Sequence, residues 1–312
     1  MILNGIVTKS VGGLFTVSLS SEYMGKKEIE AYAKGAFKHD RMTLLAGDYV
    51  DIDVNEHNEF YISKIHERKN SLIRPPLANI DVLFVVISCV RPCPVLETVD
   101  KLISIAEANK IEPVIVITKA DLDMDFAKST KELYEKCGFK AFLTSSENGE
   151  GCEALLDYIK AESLEREMIF AFSGASGAGK STFINKIFPQ LSLETGELSK
   201  KLDRGKNTTR KTELFSLSEL TGEKSKGFLA DTPGFSLLDF ERFDFFSLED
   251  LVLTFREFSE SIGKCKYTKC SHTKEEGCDI LARVKAGEIP KSRHQSYVSL
   301  YEVLKNKPKW KK

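Results

Sequence analysis

The sequence predicts a multidomain α/β protein. It reads as a small N-terminal β-barrel, a domain with a mostly parallel sheet around a phosphate-binding loop, and a helical, cysteine-rich C-terminal segment. Three observations predict this. Short β runs that nearly alternate, separated by glycine turns, fill the N-terminal part. Apolar strand runs alternate with helical periodicity from Asp81 onward. GASGAGKST, Gly174 to Thr182, directly follows one of those strands.

The β runs are GLFTVSL, DYVDIDV and EFYISKI, with turns at Gly12-Gly13, Gly25, Gly35 and Gly47; such spacing predicts a small barrel. ERKNSLIRPPLAN, carrying Pro75-Pro76, reads as a polar linker. The runs DVLFVVISC, PVIVIT, AFLTSS, MIFAFSG and GFLADTPG then read as buried strands. Between them Val99, Leu102, Ile103 and Ala106 fall at helical spacing, Leu155, Leu156 and Ile159 mark a second helix, and Ser181 to Phe188 a third. In such a sheet, ligands bind at the carboxyl ends of the strands. Ile280 to Ala286 reads as a short helix closed by Gly287. Pro290 fits the first turn of a last helix, whose Tyr297, Leu300, Tyr301 and Leu304 form one apolar stripe.

Hydrophobic residues at 42% and charged residues at 29% fit a soluble globular chain. No apolar run approaches the roughly 18 residues of a membrane span. MILNGIVTKS lacks a basic segment followed by an apolar one, so a cytoplasmic protein with no membrane partner is expected. The net charge of −1 means that any nucleic acid must be met by a local patch. Lys26, Lys27, Lys34, Lys38 and Arg41 are candidates, with Phe15, Tyr23 and Tyr32 for base stacking. The lysine tail at 305, 307, 309, 311 and 312 reads as a solvated terminus, and His39, His57, His66 and His294 as surface or packing residues.

Gly174, Ala175, Ser176, Gly177, Ala178, Gly179, Lys180, Ser181 and Thr182 match the phosphate loop between a strand and a helix. Its glycines let backbone N–H groups converge on phosphate oxygens at a helix N-terminus. Lys180 is expected at the β- and γ-phosphates and Ser181 on Mg²⁺. Asp231 of DTPG is the second candidate for Mg²⁺, and Gly234 offers an N–H to a γ-phosphate. In KNTTRK, Thr208 or Thr209 is the candidate switch threonine; the sequence does not choose between them.

TKAD, Thr118, Lys119, Ala120 and Asp121, ends another strand run. A carboxylate there accepts from both N1–H and N2–H₂ of guanine, a pairing adenine does not offer, and the Lys119 stem can lie over the base. Ser145 and Ser146 end the next run, where a backbone N–H can meet guanine O6. The guanine motifs therefore precede the phosphate loop, the reverse of the usual order. Spatial neighbours, not chain order, make a site in a parallel sheet, so a displaced chain break keeps every contact.

Taken together, GGLFTV, AGDYVDIDV, RKNSLIRPPLANID, TKADL, GASGAGKST, DTPGF and EIPKSRHQSY resemble the family of ribosome small subunit-dependent GTPase A, circularly permuted bacterial GTPases. The resemblance covers nearly the whole chain. It implies an N-terminal OB-fold over 1–68, a permuted GTPase domain over 69–238 and a helical zinc-binding domain over 239–312. It also implies a monomer that binds GTP and GDP, acts late in small-subunit assembly, touches ribosomal RNA through its OB-fold and zinc domains, and hydrolyses GTP faster on the subunit. The family commonly has Gly-Arg-His-Thr-Thr where this chain has Gly205-Lys206-Asn207-Thr208-Thr209. Asn207 can hold a water but takes up no proton near neutral pH. Phe235 follows DTPG where other GTPases carry glutamine, so a slow intrinsic rate is expected.

Cys265, Cys270, His272 and Cys278 form the last constellation. Three thiolates and an imidazole suit tetrahedral Zn²⁺ in a closed, structural site. The same positions match the zinc ligands of the family. Of the seven cysteines, Cys89, Cys93, Cys137 and Cys152 read as small core or surface residues.

Overall fold

The computed structural model describes residues 1–34, 43–73, 75–191, 193, 212–222, 224–231 and 245–307, with the Asp231 side chain excepted. The N-terminal strands are β1 (Ile2–Val11), β2 (Leu14–Tyr23), β3 (Lys26–Ala33), β4 (Tyr49–Val54) and β5 (Phe60–Ile65). β1 pairs antiparallel with both β2 and β4, β3 runs parallel to β5, and β4 is antiparallel to β5. The order β1-β2-β3-β5-β4 therefore closes on itself. Alternation sends Val7, Phe15, Val17, Ile29, Ala31, Val50, Ile52 and Ile62 into one core. Phe15 lies within that core, so the expectation that it stacks on a base is corrected.

The stretch read as a linker is corrected too. Ser71–Leu72 (β6) and Leu77–Ala78 (β7) pair antiparallel, and Leu72, Leu77, Ala78 and Ile80 are buried. Asn70 exchanges two hydrogen bonds with the Ile80 backbone, while Asn79 accepts from Lys69 N–H and donates to Gly47 O. Polarity suggested solvent there; the amides instead satisfy a buried backbone.

Onward the chain runs β8 (Val82–Ser88), α1 (Leu96–Ala108), β9 (Glu112–Thr118), α2 (Met124–Lys136), β10 (Lys140–Leu143), α3 (Cys152–Ser163), β11 (Met168–Gly174) and α4 (Lys180–Ile187). Then come β12 (Glu213–Ser216), α5 (Leu217–Thr221), β13 (Gly227–Asp231), α6 (Asp279–Lys285) and α7 (Lys291–Asn306). AFLTSS thus ends as a strand at Leu143, and Thr144 to Ser146 form the loop beyond it.

The described residues make two compact units. One contains the barrel, residues 157–172 and the described part of 188–235. Within it β13 runs parallel to β11, with Ala171 opposite Ala230, so Asp231 stands at the carboxyl end of its strand. β12 is antiparallel to β13 and meets β1 at Lys9 and Glu213, whose side chains pair at 2.8 Å. Asp81 accepts from Ile169 N–H at 2.8 Å and pairs with Lys69 at 2.6 Å.

The second unit contains residues 83–156, 173–187 and the described part of 236–312. β10 runs parallel to β9, and β8 lies on the other side of β9. Every residue of β8 is buried, as a continuous apolar run with both faces covered requires. α7 packs on α1. At their contact Arg293, fully buried, donates to Asp100 at 2.6 Å and to Glu257 at 2.7 Å. The Tyr134 hydroxyl also donates to Asp100 at 3.0 Å, and the guanidinium lies 4.5 Å over the Phe255 ring.

Candidate nucleotide site and metal centre

The phosphate loop starts where β11 ends. Gly174 has φ 154, and a β-carbon there would lie 2.3 Å from the Val86 carbonyl, so only glycine lets the strand turn this close to β8. Gly177 and Gly179 also have positive φ, 78 and 90. Lys180 opens α4, and its ammonium lies across the loop, donating to Gly174 O at 2.7 Å and Ala175 O at 2.8 Å. Ser181 is half-buried and Thr182 exposed in the first turn.

TKAD sits against this loop. The Thr118 hydroxyl is buried and donates to Ala178 O at 2.6 Å, with a longer bond to Ile87 O at 3.2 Å. Lys119 is left-handed at φ 58, and its ammonium donates to Gly177 O at 3.3 Å and to Arg91 O. The Asp121 carboxylate is exposed, just beyond the buried Ala120. Ala120 N–H donates to Thr144 O at 3.1 Å, and Thr144 N–H donates back to Ile117 O at 2.8 Å. The three loops are thus laced by hydrogen bonds although their chain order is inverted.

Ser145 is fully buried. Its N–H is committed to Glu150 O at 3.0 Å, and its hydroxyl accepts from Glu147 N–H at 3.2 Å. Those bonds shape the loop and leave the half-buried Ser146 next to it. The sequence reading did not find the Arg91 carbonyl or Thr144 as supports. Both act through backbone atoms, which leave no residue-type signature.

Thr208, Thr209 and Gly234 lie outside the described residues, as do Asn207, Phe235, Lys38, Arg41 and the tail lysines beyond 307. Asp231 is described as the last residue of β13 only.

Cys265, Cys270, His272 and Cys278 come together, with ligand atoms all within 4.8 Å of one another. Sγ of Cys265 and Cys278 are 3.8 Å apart, and His272 Nδ1 is 3.5 Å from each. Bonds of about 2.3 Å to sulfur and 2.0–2.1 Å to nitrogen around a tetrahedral ion give edges of about 3.8 Å and 3.5–3.6 Å. The donor set therefore fits such an ion. Burial and the neighbouring sulfurs push the Cys270 thiol up to about 12, and burial also raises Cys278 and lowers His272. Thiols crowded in this way lose their protons most readily to a bound cation, which is what metal ligation supplies. His294, expected at the surface or in packing, is buried beside this cluster.

A family model described as the RsgA GTPase matches residues 65–241, and one described as the RsgA N-terminal domain matches residues 4–62. The chain belongs to the RsgA GTPase family. A small ribosomal subunit biogenesis GTPase RsgA of Staphylococcus epidermidis is 35% identical over 97% of this chain and 98% of its own. An RsgA 2 of Oceanobacillus iheyensis is 36% identical over 98% and 99%. Among solved structures, YjeQ from Thermotoga maritima superposes with a TM-score of 0.81 at 28% identity, over 99% of this chain and 100% of that one. YloQ, described as a circularly permuted GTPase, gives 0.76 at 32% identity, over 99% and 98%. The similarity to these two RsgA relatives thus extends over nearly the whole of both chains. No helix of the described residues is long and apolar enough to cross a membrane.

Proposed function

We propose that this protein is a cytoplasmic GTP hydrolase that acts on the small ribosomal subunit during its biogenesis. One observation carries the reading: Thr118 of the guanine motif bonds Ala178 of the phosphate loop at 2.6 Å, so both halves of a GTP site share one place. Full-length similarity to relatives named small ribosomal subunit biogenesis GTPase supports the biological setting.

In this reading Asp121 accepts the guanine N1–H and N2–H₂, and the Lys119 stem lies over the base. Ser146 supplies the N–H for guanine O6, because the N–H of Ser145 is already used by Glu150. Apart from that of Ala178, which donates to Ala175 O at 3.2 Å, the N–H groups from Ala175 to Thr182 hold the phosphates. Lys180 exchanges its loop carbonyls for β- and γ-phosphate oxygens, which concentrates positive charge where negative charge develops. Ser181 and Asp231 would be the Mg²⁺ residues, and the ion would supply further neutralisation of the phosphate charge. Thr208 or Thr209 and Gly234 are the switch contacts. Ribosomal particles raise the rate by ordering the switch or by supplying a group in trans.

Cys265, Cys270, His272 and Cys278 would hold one structural Zn²⁺, which would tie together the loops that carry them. Ribosomal RNA meets exposed Lys26, Lys27 and Tyr32 on the barrel. Lys34 is already paired with Asp53 and contributes less. GTP hydrolysis measured with and without small subunits tests the proposal. Clear stimulation by subunits is expected; equal turnover in both conditions contradicts it.

A further inference from the structure

His294 and Tyr297 are buried one turn apart on α7, and both reach the loop that carries the ligand His272. The His294 Nε2–H donates to the His272 carbonyl at 2.8 Å. A carbonyl only accepts, so His294 carries a proton on Nε2. The Tyr297 hydroxyl donates to the preceding carbonyl, Ser271 O, at 3.0 Å. Two consecutive carbonyls are therefore gripped by one face of a helix.

They are gripped where the backbone needs it. His272 has φ 58, a left-handed conformation that a β-carbon disfavours. The turn brings its Nδ1 to 3.5 Å from the sulfurs of both Cys265 and Cys278. A relaxed backbone would swing the imidazole away from the sulfurs. The rings reinforce the grip: His294 stacks on Tyr297 at 6.3 Å, and Tyr297 meets His272 edge-on at 6.4 Å. The helix itself is held by the neighbouring residue, Arg293, through Asp100 and Glu257.

We infer that His294 and Tyr297 are positioning residues of the Cys₃His centre, holding His272 in the one backbone conformation that presents Nδ1 to a metal ion. Neither touches the ion; both act through the backbone of its ligand. The inference rests on the metal reading of the cluster. Partners one layer out from metal ligands typically change affinity by 10–100-fold. A role in packing alone would lower the melting temperature without changing metal release far below it.

The test uses the full chain loaded with zinc and follows release to excess 4-(2-pyridylazo)resorcinol at low temperature. Wild type is compared with Tyr297→Phe, His294→Leu, His294→Gln and Tyr301→Phe. Tyr297→Phe and His294→Leu are expected to release zinc about 10-fold faster or more. His294→Gln, which keeps an N–H donor, should recover part of the loss, and Tyr301→Phe should match wild type. Tyr297→Phe removes a single oxygen and decides the matter if His294→Leu does not fold. Wild-type release rates in both Tyr297→Phe and His294→Leu, or in Tyr297→Phe alone where His294→Leu does not fold, overturn the inference. Cobalt substitution separates the two levels: a wild-type protein with no sulfur-to-cobalt absorption overturns the metal reading itself.

Discussion

The Thr118 hydroxyl donates to the Ala178 carbonyl across 2.6 Å. This bond joins two motifs far apart in sequence and in inverted order. Thr118 ends β9, and Ala178 lies in the loop after β11, so strand ends rather than chain order build the site. The same atoms seat Gly179, whose β-carbon position would be 3.7 Å from both the Thr118 hydroxyl and the Lys119 side chain.

Thr118→Val keeps the shape and removes the donor. The Ala178 carbonyl then lacks this partner in a buried place, which costs about 1–3 kcal/mol. Urea denaturation should show that loss together with weaker GDP binding. An unchanged midpoint would show that the bond holds nothing.

Gly174→Ala should do more damage than its size suggests. The new β-carbon would meet the backbone of Val86 at 2.3 Å, and the strand there has no room to retreat. A loss of about 3 kcal/mol or more is expected. Gly222→Ala is the control: φ is 66 but nothing lies within 4 Å, so about 1 kcal/mol is expected from the backbone alone. Equal effects in denaturation of the two variants would contradict the crowding.

Much of this arrangement was legible in the residues. The uniformly apolar runs of β8 and β11 announced strands covered on both faces, and the phosphate loop announced where β11 turns. The donor types at 265, 270, 272 and 278 announced the metal cluster. What stayed hidden is held by groups that composition disguises. Asn70 and Asn79 looked like linker polarity yet lace a buried hairpin. Arg293 gave no signal of its own, because its partners Asp100 and Glu257 come from distant segments. Phe15, only a candidate for stacking because barrel aromatics more often fill the core, does fill it.

Arg293→Met leaves two buried carboxylates without their cation, which costs about 3–5 kcal/mol near neutral pH. Burial already pushes the Asp100 carboxyl up against the opposing pull of Arg293, and the variant removes that pull. A carboxyl raised in the folded state takes up a proton that the unfolded chain does not, so the deficit should shrink as pH falls through its folded value toward the ordinary value near 4. Denaturation of both proteins between pH 8 and 5 checks this. A deficit that stays constant or grows on acidification would contradict it.

Thiol chemistry should follow burial. Cys93 is exposed, whereas burial pushes Cys89 up to about 11 and Cys137 up to about 12. Only thiolate reacts quickly with iodoacetamide. At pH 8 the zinc-loaded protein should therefore be labelled first at Cys93, and all seven cysteines should label only after unfolding with chelator. Early labelling of Cys137, read by peptide mass, would contradict the packing.

The central claim is that TKAD reads guanine beside the phosphate loop, and displacement of labelled GDP tests it most directly. Wild type should yield to GTP and not to ATP. Asp121→Asn turns one accepting oxygen into an NH₂ donor, so one charge-assisted hydrogen bond of about 1.5–3 kcal/mol is lost and GTP affinity should fall about 100-fold. Unchanged displacement by GTP in Asp121→Asn, or equal displacement of wild type by ATP, would contradict it.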